Sequence, residues 1–287
     1  MQWTTSRFLI DLSQPKVMGI INVTPDSFSD GGQNNSVSAA LRHCERLIKE
    51  GADILDIGGE STRPGAKALP AEEELVRVLP IVREAVKLGV PVSVDTYKPQ
   101  VMQAVLDLGA DIINDVWALR WTDPDDTSRV STGVHVVAGH AHCGVCLMHM
   151  HREPRSMQVS PMEGDVVSQV LSFLELRAQA LVASGLKKSQ IILDPGIGFG
   201  KTVAQNFALL ARQREFHSSG YPLLAGWSRK SSLAAVVAVP PDDLPPHGRV
   251  VASVAAALLS VQRGASVVRV HDVLETVQAL KVLSAIN

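Results

Sequence analysis

The stretch VPVSVDTYKPQVMQAVLDLGADIINDV, residues 90–116, contains one complete copy of the pattern that decides the fold. A short apolar run rich in valine ends at Asp95, and a polar loop follows it. The next segment has apolar residues near three- to four-residue spacing, which predicts an amphipathic helix. A second apolar run then closes the stretch. Strands that alternate with helices in this way predict a parallel sheet.

The same pattern recurs along the whole chain. Apolar runs predict eight strands, at 17–23, 53–58, 90–95, 111–116, 145–150, 190–194, 222–226 and 266–271. Helices are predicted at 36–52, 71–89, 98–110, 162–185 and 273–286. Eight strand–helix units in 287 residues predict an α/β protein with a (β/α)8 TIM-barrel fold, formed as a single domain over residues 1–287. An open, doubly wound sheet is the alternative that this pattern also allows.

Composition narrows the class of protein. Hydrophobic residues make up 46% of the chain and charged residues 20%, and the net charge is −2. This balance gives no electrostatic reason to expect nucleic acid or an anionic membrane as a partner. The first residues contain no apolar segment of the secretory type, and three cysteines do not form a disulfide framework. No apolar run approaches the roughly 20 residues that span a bilayer, so we expect a cytoplasmic protein.

Polar residues interrupt the apolar runs where the predicted strands end, which is the side on which TIM barrels build their active sites. Asp95, Asn114 and Asp194 close three strands, and their carboxylate and amide groups suit a flat heterocycle with several N–H donors. Lys230 suits an acceptor atom of the same ring. One such aspartate would usually be a helix N-cap. Repetition of the pattern at eight strand ends favours a binding site.

A second group of residues indicates an anion site. Arg269 and His271 are two residues apart on one strand and therefore face the same side. With Thr62 they suit a phosphate or a carboxylate, although a surface pair at a strand end is the alternative. Asn22 offers a hard oxygen that suits Mg²⁺ carried in by a diphosphate.

The segment LDPGIGFGKT, residues 193–202, has the look of a nucleotide-binding loop but departs from that pattern. The P-loop requires a glycine six residues before its lysine, and Pro195 stands there. Proline has no N–H to offer a phosphate. We therefore expect Asp194 to be the chemical centre of this segment, and Lys201 and Thr202 to begin a helix.

Several long motifs taken together resemble the dihydropteroate synthase family, folate-pathway enzymes built on a pterin-binding TIM barrel. The match runs from about residue 17 to 280. The motifs are GIINVTPDSFSDGG (19–32), GADILDIGGESTRPGA (51–66), VSVDT (92–96), ADIINDV (110–116), LMHM (147–150), LDPGIGFGKT (193–202), AGWSRKS (225–231) and VVRVHDV (267–273).

The resemblance implies roles for individual positions. The positions matching the family's pterin-binding residues are Asp95, Asn114, Met148, Asp194, Phe199, Gly226, Lys230 and Arg269. Those matching its diphosphate contacts are Asn22, Thr62, Arg269 and His271, and Asn22 also matches the metal contact. Those matching its para-aminobenzoate contacts are Thr24, Phe28, Pro64, Lys230 and Ser231. The implied catalytic set is Asp95, Asp194 and Lys230 with the loop residues Asp30 and Arg63.

The resemblance also implies a reaction. The chain is expected to be a transferase that condenses 6-hydroxymethyl-7,8-dihydropterin diphosphate with para-aminobenzoate, giving 7,8-dihydropteroate and diphosphate. The leaving group departs from a CH₂ on an electron-rich ring, so we expect an SN1-like substitution with Mg²⁺ as cofactor. Sulfonamides mimic para-aminobenzoate in this family, which makes the chain an expected sulfonamide target. The family also implies a homodimer.

Other interpretations stay open at this point. The pterin-binding domain of corrinoid-dependent methyltransferases is similar, but the motifs TPDSFSDGG, SRKS and RVH suit an aryl amine and a diphosphate better. A non-enzymatic regulator on the same barrel is a second rival. The segment 140–151 carries two cysteines and four histidines, which raises a zinc site, although alternate residues of a strand face opposite sides. Trp117 and Trp227 depart from the family pattern, and we expect both to pack in the core.

Overall fold

The computed structural model describes residues 1–23, 32–62, 65–66, 68–123, 132–140, 142–153, 156–157, 159–237 and 244–286, without the side chains of residues 32–36. Eight parallel strands form one sheet, with helices along the chain between them. The predicted TIM barrel is therefore confirmed.

The barrel strands follow an N-terminal hairpin. The hairpin is β1 (Gln2–Thr4) and β2 (Leu9–Asp11), and the barrel strands are β3 (Lys16–Asn22), β4 (Ile54–Gly58), β5 (Val92–Asp95), β6 (Ile112–Asp115), β7 (Gly144–Met148), β8 (Ile191–Asp194), β9 (Leu224–Ala225) and β10 (Val267–Val270). Their order in the sheet is β8-β7-β6-β5-β4-β3-β10-β9. The Leu193 N–H donates to the Pro222 carbonyl at 3.0 Å. This bond closes the sheet between β8 and β9.

The helices lie between the strands in sequence and cover the outside of the sheet. They are α1 (Gly32–Glu50), α2 (Ala71–Ala85), α3 (Pro99–Asp107), α4 (Gly133–Gly139), α5 (Val166–Ala183), α6 (Val203–Ala211), α7 (Ser231–Val237), α8 (Val250–Gln262) and α9 (Val273–Ser284). Thr202 caps α6, because its hydroxyl accepts from the Gln205 N–H at 3.2 Å. The predicted start of this helix is confirmed.

Inside the barrel, several strands change from apolar to polar along their inward face. Side chains alternate between the two faces of a strand, so positions two apart point the same way. Ile192 belongs to the lower interior cluster, whereas Asp194 lies one inward position higher. Val267 and Arg269 on β10 repeat this change. The upper end of the barrel is therefore polar, and its lower end is apolar.

The hairpin of β1 and β2 closes the lower end, and the sequence analysis missed it. Trp3 is fully buried in the lower interior cluster with Ile10 and Met18. Its indole N–H donates to the Gln190 carbonyl at 2.9 Å. Two strands of three residues are too short for a period-2 pattern to stand out, which explains the omission.

Predicted and observed bounds differ mainly at element ends. The strand predicted at 222–226 contains only Leu224–Ala225, since its first residue is Pro222, which has no N–H for a ladder. The helix predicted at 71–89 ends at Ala85. It contains Pro80 within its length.

One described helix, α5, is long and apolar enough by length and composition to cross a membrane. About a third of it is buried in the structure. Arg177 of this helix donates to the carbonyls of Ala118 and Leu119 at 2.9 and 3.3 Å. A core helix of a barrel passes the same length and composition test, and α5 occupies that place between β7 and β8.

Candidate active site

Arg269 lies across the mouth of the barrel and joins two carboxylates from different strands. Its Nε donates to Asp56 Oδ2 at 2.5 Å, and its Nη2 donates to Asp95 Oδ2 at 2.7 Å. Asp56 comes from β4 and Asp95 from β5, while Arg269 comes from β10. Charged hydrogen bonds of this kind are the strong ones, so the three side chains hold one another in place.

Asp95 and Asn114 lie side by side at the ends of neighbouring strands, where the two residues are register partners. The Asn114 amide is 3.3 Å from Asp56 Oδ2, which links it to the same network. Burial raises the pKa of Asp95 to about 7, and Arg269 opposes that rise. Asp95 is therefore a weaker acid than an exposed aspartate.

Asp194 occupies the opposite wall, at the end of β8. Its Oδ1 accepts from the Gly196 N–H at 2.7 Å, and the side chain is 6% exposed. Burial raises the pKa of Asp194, and Lys230 is the main opposing influence. The loop turns sharply because Gly196 and Gly198 adopt φ values of +68° and +83°. A Cβ at Gly196 would stand 1.9 Å from the His149 carbonyl oxygen, so only glycine fits there.

Lys230 reaches the mouth from the turn after β9. Its Nζ donates to the Ile197 carbonyl and lies 4.5 Å from the centre of the Phe199 ring. Burial lowers the pKa of Lys230 to about 8, against the influence of Asp194. The preceding residue, Arg229, has a φ of +60°, an unusual value for a residue with a side chain.

Apolar side chains complete the walls around these polar groups. Met148, on β7, is the register partner of Asp194 and is 4% exposed. It packs in one cluster with Phe199 and Trp117. Gly226 leaves room beside Asp194, since a Cβ there would be 3.8 Å from the carboxylate. This part of the barrel mouth therefore offers a flat ring both an apolar wall and groups that can form hydrogen bonds with its edges.

His271 and Asn22 line a cavity of about 570 Å³ beside the barrel mouth. The Ser228 hydroxyl accepts from the His271 backbone N–H at 3.1 Å and lies 2.9 Å from Nδ1. Ser228 therefore contacts both the backbone and the ring of His271. The other residues lining the cavity are Ile20, Ala39, Arg42, His43, Arg46 and Arg229. The surroundings are cationic and suit an anion.

Two further predicted residues lie at the rim. Thr62 is half-buried in the loop after β4, and Ser231 is exposed at the first position of α7. Thr24, Phe28, Asp30, Arg63 and Pro64 lie outside the described residues. Their predicted roles stay predictions.

Sequence reasoning missed Asp56, which the structure places fully buried at the centre of the network. The residue stands in the middle of the apolar run DILDIG, away from the end of the strand. The sequence does contain an indication of its position. Asp56 is two residues from Ile54 and from Gly58, so all three face the inside of the barrel. A carboxylate inside a barrel requires a partner, and this spacing indicates one at the mouth.

A second missed feature is a buried ion network beside the loop after β4. Lys98 Nζ donates to Glu60 and to Glu74 Oε2, the latter at 2.5 Å. Glu60 Oε1 also accepts from the Tyr97 hydroxyl and the Leu69 N–H, both at 3.1 Å. These bonds join the two ends of the segment 61–69, which contains Thr62.

The cysteines of the segment 140–151 lie in different layers of the barrel. Cys146 belongs to the interior cluster, and Cys143 belongs to the layer between sheet and helices. Burial raises the pKa of Cys143 to about 12. Trp227 packs in the outer core at 2% exposure, as predicted, whereas Trp117 lies half-buried in the cluster around Met148.

The chain is similar in sequence to a known family and to its members. The model of the family described as "Pterin binding enzyme" matches residues 18–271. Dihydropteroate synthase from Neisseria meningitidis serogroup C is 47% identical over 288 residues, covering 99% of this chain and 97% of the relative.

Two solved structures are similar across nearly the whole chain. The Burkholderia cenocepacia dihydropteroate synthase, complexed with 7,8-dihydropteroate, has a TM-score of 0.87 and 48% identity over 99% of this chain and 96% of its own. The Yersinia pestis enzyme, in complex with a sulfonamide drug, has a TM-score of 0.90 and 42% identity over 100% and 99%. Both the fold and the sequence lead to one conclusion. The chain belongs to the pterin-binding enzyme family and, within it, to the dihydropteroate synthases, transferases of folate biosynthesis.

Proposed function

We propose that this chain joins 6-hydroxymethyl-7,8-dihydropterin diphosphate to para-aminobenzoate by a dissociative substitution at the barrel mouth. The observation that carries this proposal is the Arg269 guanidinium, which Asp56 and Asp95 hold at the barrel mouth, two residues before His271 of the cationic cavity. One side chain there can meet both the ring and the leaving group.

The pterin ring binds between the two polar walls in this proposal. Asp95 and Asn114 meet N–H donors on one side, and Asp194 meets those on the other. Lys230 offers an N–H to an acceptor atom of the ring. Met148 and Phe199 cover its apolar faces. Hydrogen bonds to charged groups are worth roughly 1.5–3 kcal/mol each, so their loss weakens binding by about ten- to a hundredfold.

Bond cleavage follows from the placement of the cations. The bond between the CH₂ group and the diphosphate oxygen breaks, and its electron pair leaves with the diphosphate. Arg269 and the imidazole of His271 stabilise that leaving charge. The carbon cation is delocalised into the pterin and is favoured by the nearby carboxylates. The aniline nitrogen then forms the new C–N bond and loses a proton.

Mg²⁺ fits this site only together with the diphosphate. Asn22 supplies one neutral oxygen at the cavity, and the described residues contain no group of three or more His, Cys, Asp or Glu side chains able to hold a metal. Mg²⁺ commonly binds through substrate phosphates and few protein ligands. When bound, it would neutralise charge on the leaving diphosphate. Chelation is expected to abolish turnover, and added Mg²⁺ to restore it.

The para-aminobenzoate site is proposed at the rim above Lys230 and Ser231. The loop residues Thr24, Phe28 and Pro64 complete it in this proposal, and Asp30 and Arg63 organise the closed loops. Closure would exclude water, which competes with the amine for the cation.

We also propose a homodimer in the cytoplasm. The described parts of α7 and α8, which contact each other, expose the apolar side chains Val236, Val237 and Val251. An exposed apolar patch of this kind is commonly an interface. Light scattering during size-exclusion chromatography measures the mass of the protein in solution. A mass equal to that of one chain would contradict the dimer.

Two substitutions test the site directly. We expect Asp95→Asn and Lys230→Ala each to lower kcat/KM for the pterin diphosphate by about ten- to a hundredfold, since each removes a charged contact to the ring. Asp107→Asn and Lys87→Ala, at exposed positions away from the mouth, serve as matched controls. Wild-type turnover in either site variant would contradict the proposed site.

A further inference from the structure

Lys201 is buried beneath the loop after β8, and no step of the proposed reaction uses it. Only 2% of the residue is exposed. Its Nζ meets four acceptor atoms from two loops, and among the described residues none of its hydrogen-bond partners is a carboxylate. They are the carbonyls of Gly196 at 2.8 Å, Phe199 at 3.1 Å and His149 at 3.3 Å, and Nδ1 of His149 at 2.9 Å.

The contacts indicate an ammonium group. Four acceptor atoms surround the Nζ, so its N–H groups are shared among them, and the charged form of lysine, with three N–H donors against two in the neutral form, satisfies them better. Burial lowers the pKa of Lys201 well below its usual value, and the nearby Asp194 opposes that change. Burial and Lys201 also lower the pKa of His149 to about 2, so the imidazole is neutral. Its Nδ1 therefore accepts from the lysine.

Lys201 joins the two loops that form one side of the mouth. His149 directly follows Met148, and its backbone N–H donates to the Asp194 carbonyl at 3.0 Å. Phe199 lies on the other loop and contacts Lys230. The two loops approach so closely at Gly196 that a Cβ there would collide with His149. The ammonium group lies where the carbonyls of both loops converge.

We propose that Lys201 is a positioning residue for the pterin pocket, which fixes Met148 and Phe199 against Asp194 by binding the backbone carbonyls beneath them. Lys201 touches no substrate in this arrangement. The inference rests on the proposed pterin site. It adds to that site the side chain that holds the two loops of its wall together. Carbonyl oxygens that converge without a cation would repel one another, and the loops would separate.

The charge of Lys201 also acts on Asp194. Three cations face this carboxylate. Lys201 lies in the loop before α6, Lys230 in the turn after β9, and Arg269 on β10. Cys146 faces it from β7. The ionisable groups around Lys201 itself are Asp194, Lys230, His149 and His151. Loss of the Lys201 charge therefore raises the pKa of Asp194, and the ionised form that binds the pterin then needs a higher pH.

The test replaces Lys201 by methionine, which keeps the length of the side chain and removes its charge. Binding of 6-hydroxymethylpterin is measured by calorimetry from pH 6 to pH 9. We expect Kd for Lys201→Met to rise about tenfold or more. The pH below which binding weakens is also expected to be higher than in the wild type. The KM for para-aminobenzoate is expected to stay within about twofold of wild type, because the pocket above the ring is not held by Lys201.

A matched control comes from a second lysine that donates to a backbone carbonyl. Lys188 Nζ donates to the Ser219 carbonyl at 3.2 Å at an exposed position. It precedes β8, on the closed side of the barrel. Lys188→Met is expected to bind the pterin as wild type does. Lys201→Gln, which keeps a donor for the carbonyls, is measured in parallel. If the methionine variant does not fold, the Kd of the glutamine variant and its pH dependence are compared with those of the wild type instead.

Asp194→Asn separates this inference from the function on which it rests. If Asp194→Asn loses pterin binding while Lys201→Met and Lys201→Gln keep it at every pH, the inference is overturned and the proposed site stands. If Asp194→Asn also binds as wild type, the pterin site itself is wrong. Equal loss of affinity for pterin and para-aminobenzoate in the Lys201 variants would likewise overturn the positioning role, since it would indicate general damage.

Discussion

Arg269 makes it possible for two carboxylates to lie inside one narrow barrel. Asp56 is fully buried, and the Asp95 side chain is 13% exposed. An isolated ion at such a place is costly, whereas an ion pair with good hydrogen bonds offsets much of that cost. The guanidinium has separate donors for the two carboxylates, which a lysine could not place in the same fixed geometry. The arrangement depends on arginine specifically.

The raised pKa of Asp95 predicts the pH dependence of the reaction. Burial raises this pKa to about 7, so below that pH the side chain is increasingly a neutral acid. If the pterin binds the carboxylate, kcat/KM for the pterin diphosphate falls by about tenfold per pH unit as the pH drops from 7 towards 5. Steady-state kinetics from pH 5 to pH 9 measure the profile.

Asp95→Asn provides the control, because the amide does not titrate. Its residual activity is expected to lack the limb near pH 7, although titration of the diphosphate remains. A wild-type profile that is level between pH 8 and pH 5 would contradict a role for the ionised Asp95.

The residues at the mouth could largely be placed from the sequence. Asp95, Asn114 and Asp194 stand at strand ends, and alternation fixes their inward direction. Their neighbours could be placed less well. Asp56 stands in the middle of a strand and was missed. The Arg269 contacts to two carboxylates depend on the radius and closure of the barrel, which periodicity does not encode.

At the scale of elements, the turn after β9 aims Lys230 by means of an unusual backbone conformation at Arg229. The Arg229 N–H donates to Ser253 Oγ at 2.9 Å, and its carbonyl accepts from Arg249 at 3.0 Å. Its guanidinium binds Asp272 at 3.0 and 2.5 Å. These contacts offset the cost of a positive φ, and the turn then points the next residue into the mouth.

Substitution at Arg229 measures that backbone cost. Arg229→Ala and Arg229→Gly both lose the contacts to Asp272, but only glycine adopts a φ of +60° without steric cost. We expect the glycine variant to be more stable than the alanine variant by about 1 kcal/mol in urea unfolding. Arg263, with a φ of −100°, is the matched control, where alanine is expected to be the more stable. The same order at both positions would contradict the argument.

The buried network of Lys98, Glu60 and Glu74 predicts a large effect of a single charge. Lys98→Met leaves two glutamates buried beside each other without a cation. We expect the free energy of unfolding to fall by about 3–5 kcal/mol, measured by urea denaturation. Lys87→Met, which breaks an exposed pair with Glu84, is expected to change it by less than about 1 kcal/mol. Similar small changes in both variants would contradict a stabilising network.

Elements differed in how well the sequence predicted them. Barrel strands and long helices have clear periods, and their order was predicted. The hairpin of β1 and β2 has three-residue strands and was missed. The network around Lys98 was also missed, because its members are 14 to 38 residues apart in sequence and only the completed fold brings them together.

At the scale of the whole molecule, the barrel has one functional end and one stabilising end. Trp3 fills the lower end, far along the strands from the mouth. We expect Trp3→Ala to lower the free energy of unfolding by about 3–5 kcal/mol and Trp3→Phe by less. KM for both substrates is expected to stay unchanged in the folded protein. Urea unfolding and steady-state kinetics measure the two effects, and a raised KM at wild-type stability would contradict this division.

The hairpin of β1 and β2 at the lower end cannot reach its final packing early in the synthesis of the chain. Trp3 is synthesised before its partner Gln190, which follows 187 residues later in the chain. At roughly 5–20 residues per second, translation reaches that partner some 10 to 40 seconds later. The first barrel strand, β3, must also wait for the last strand, β10. A large aromatic side chain thus stays without this partner during that interval, and apolar surface exposed in this way is prone to aggregate.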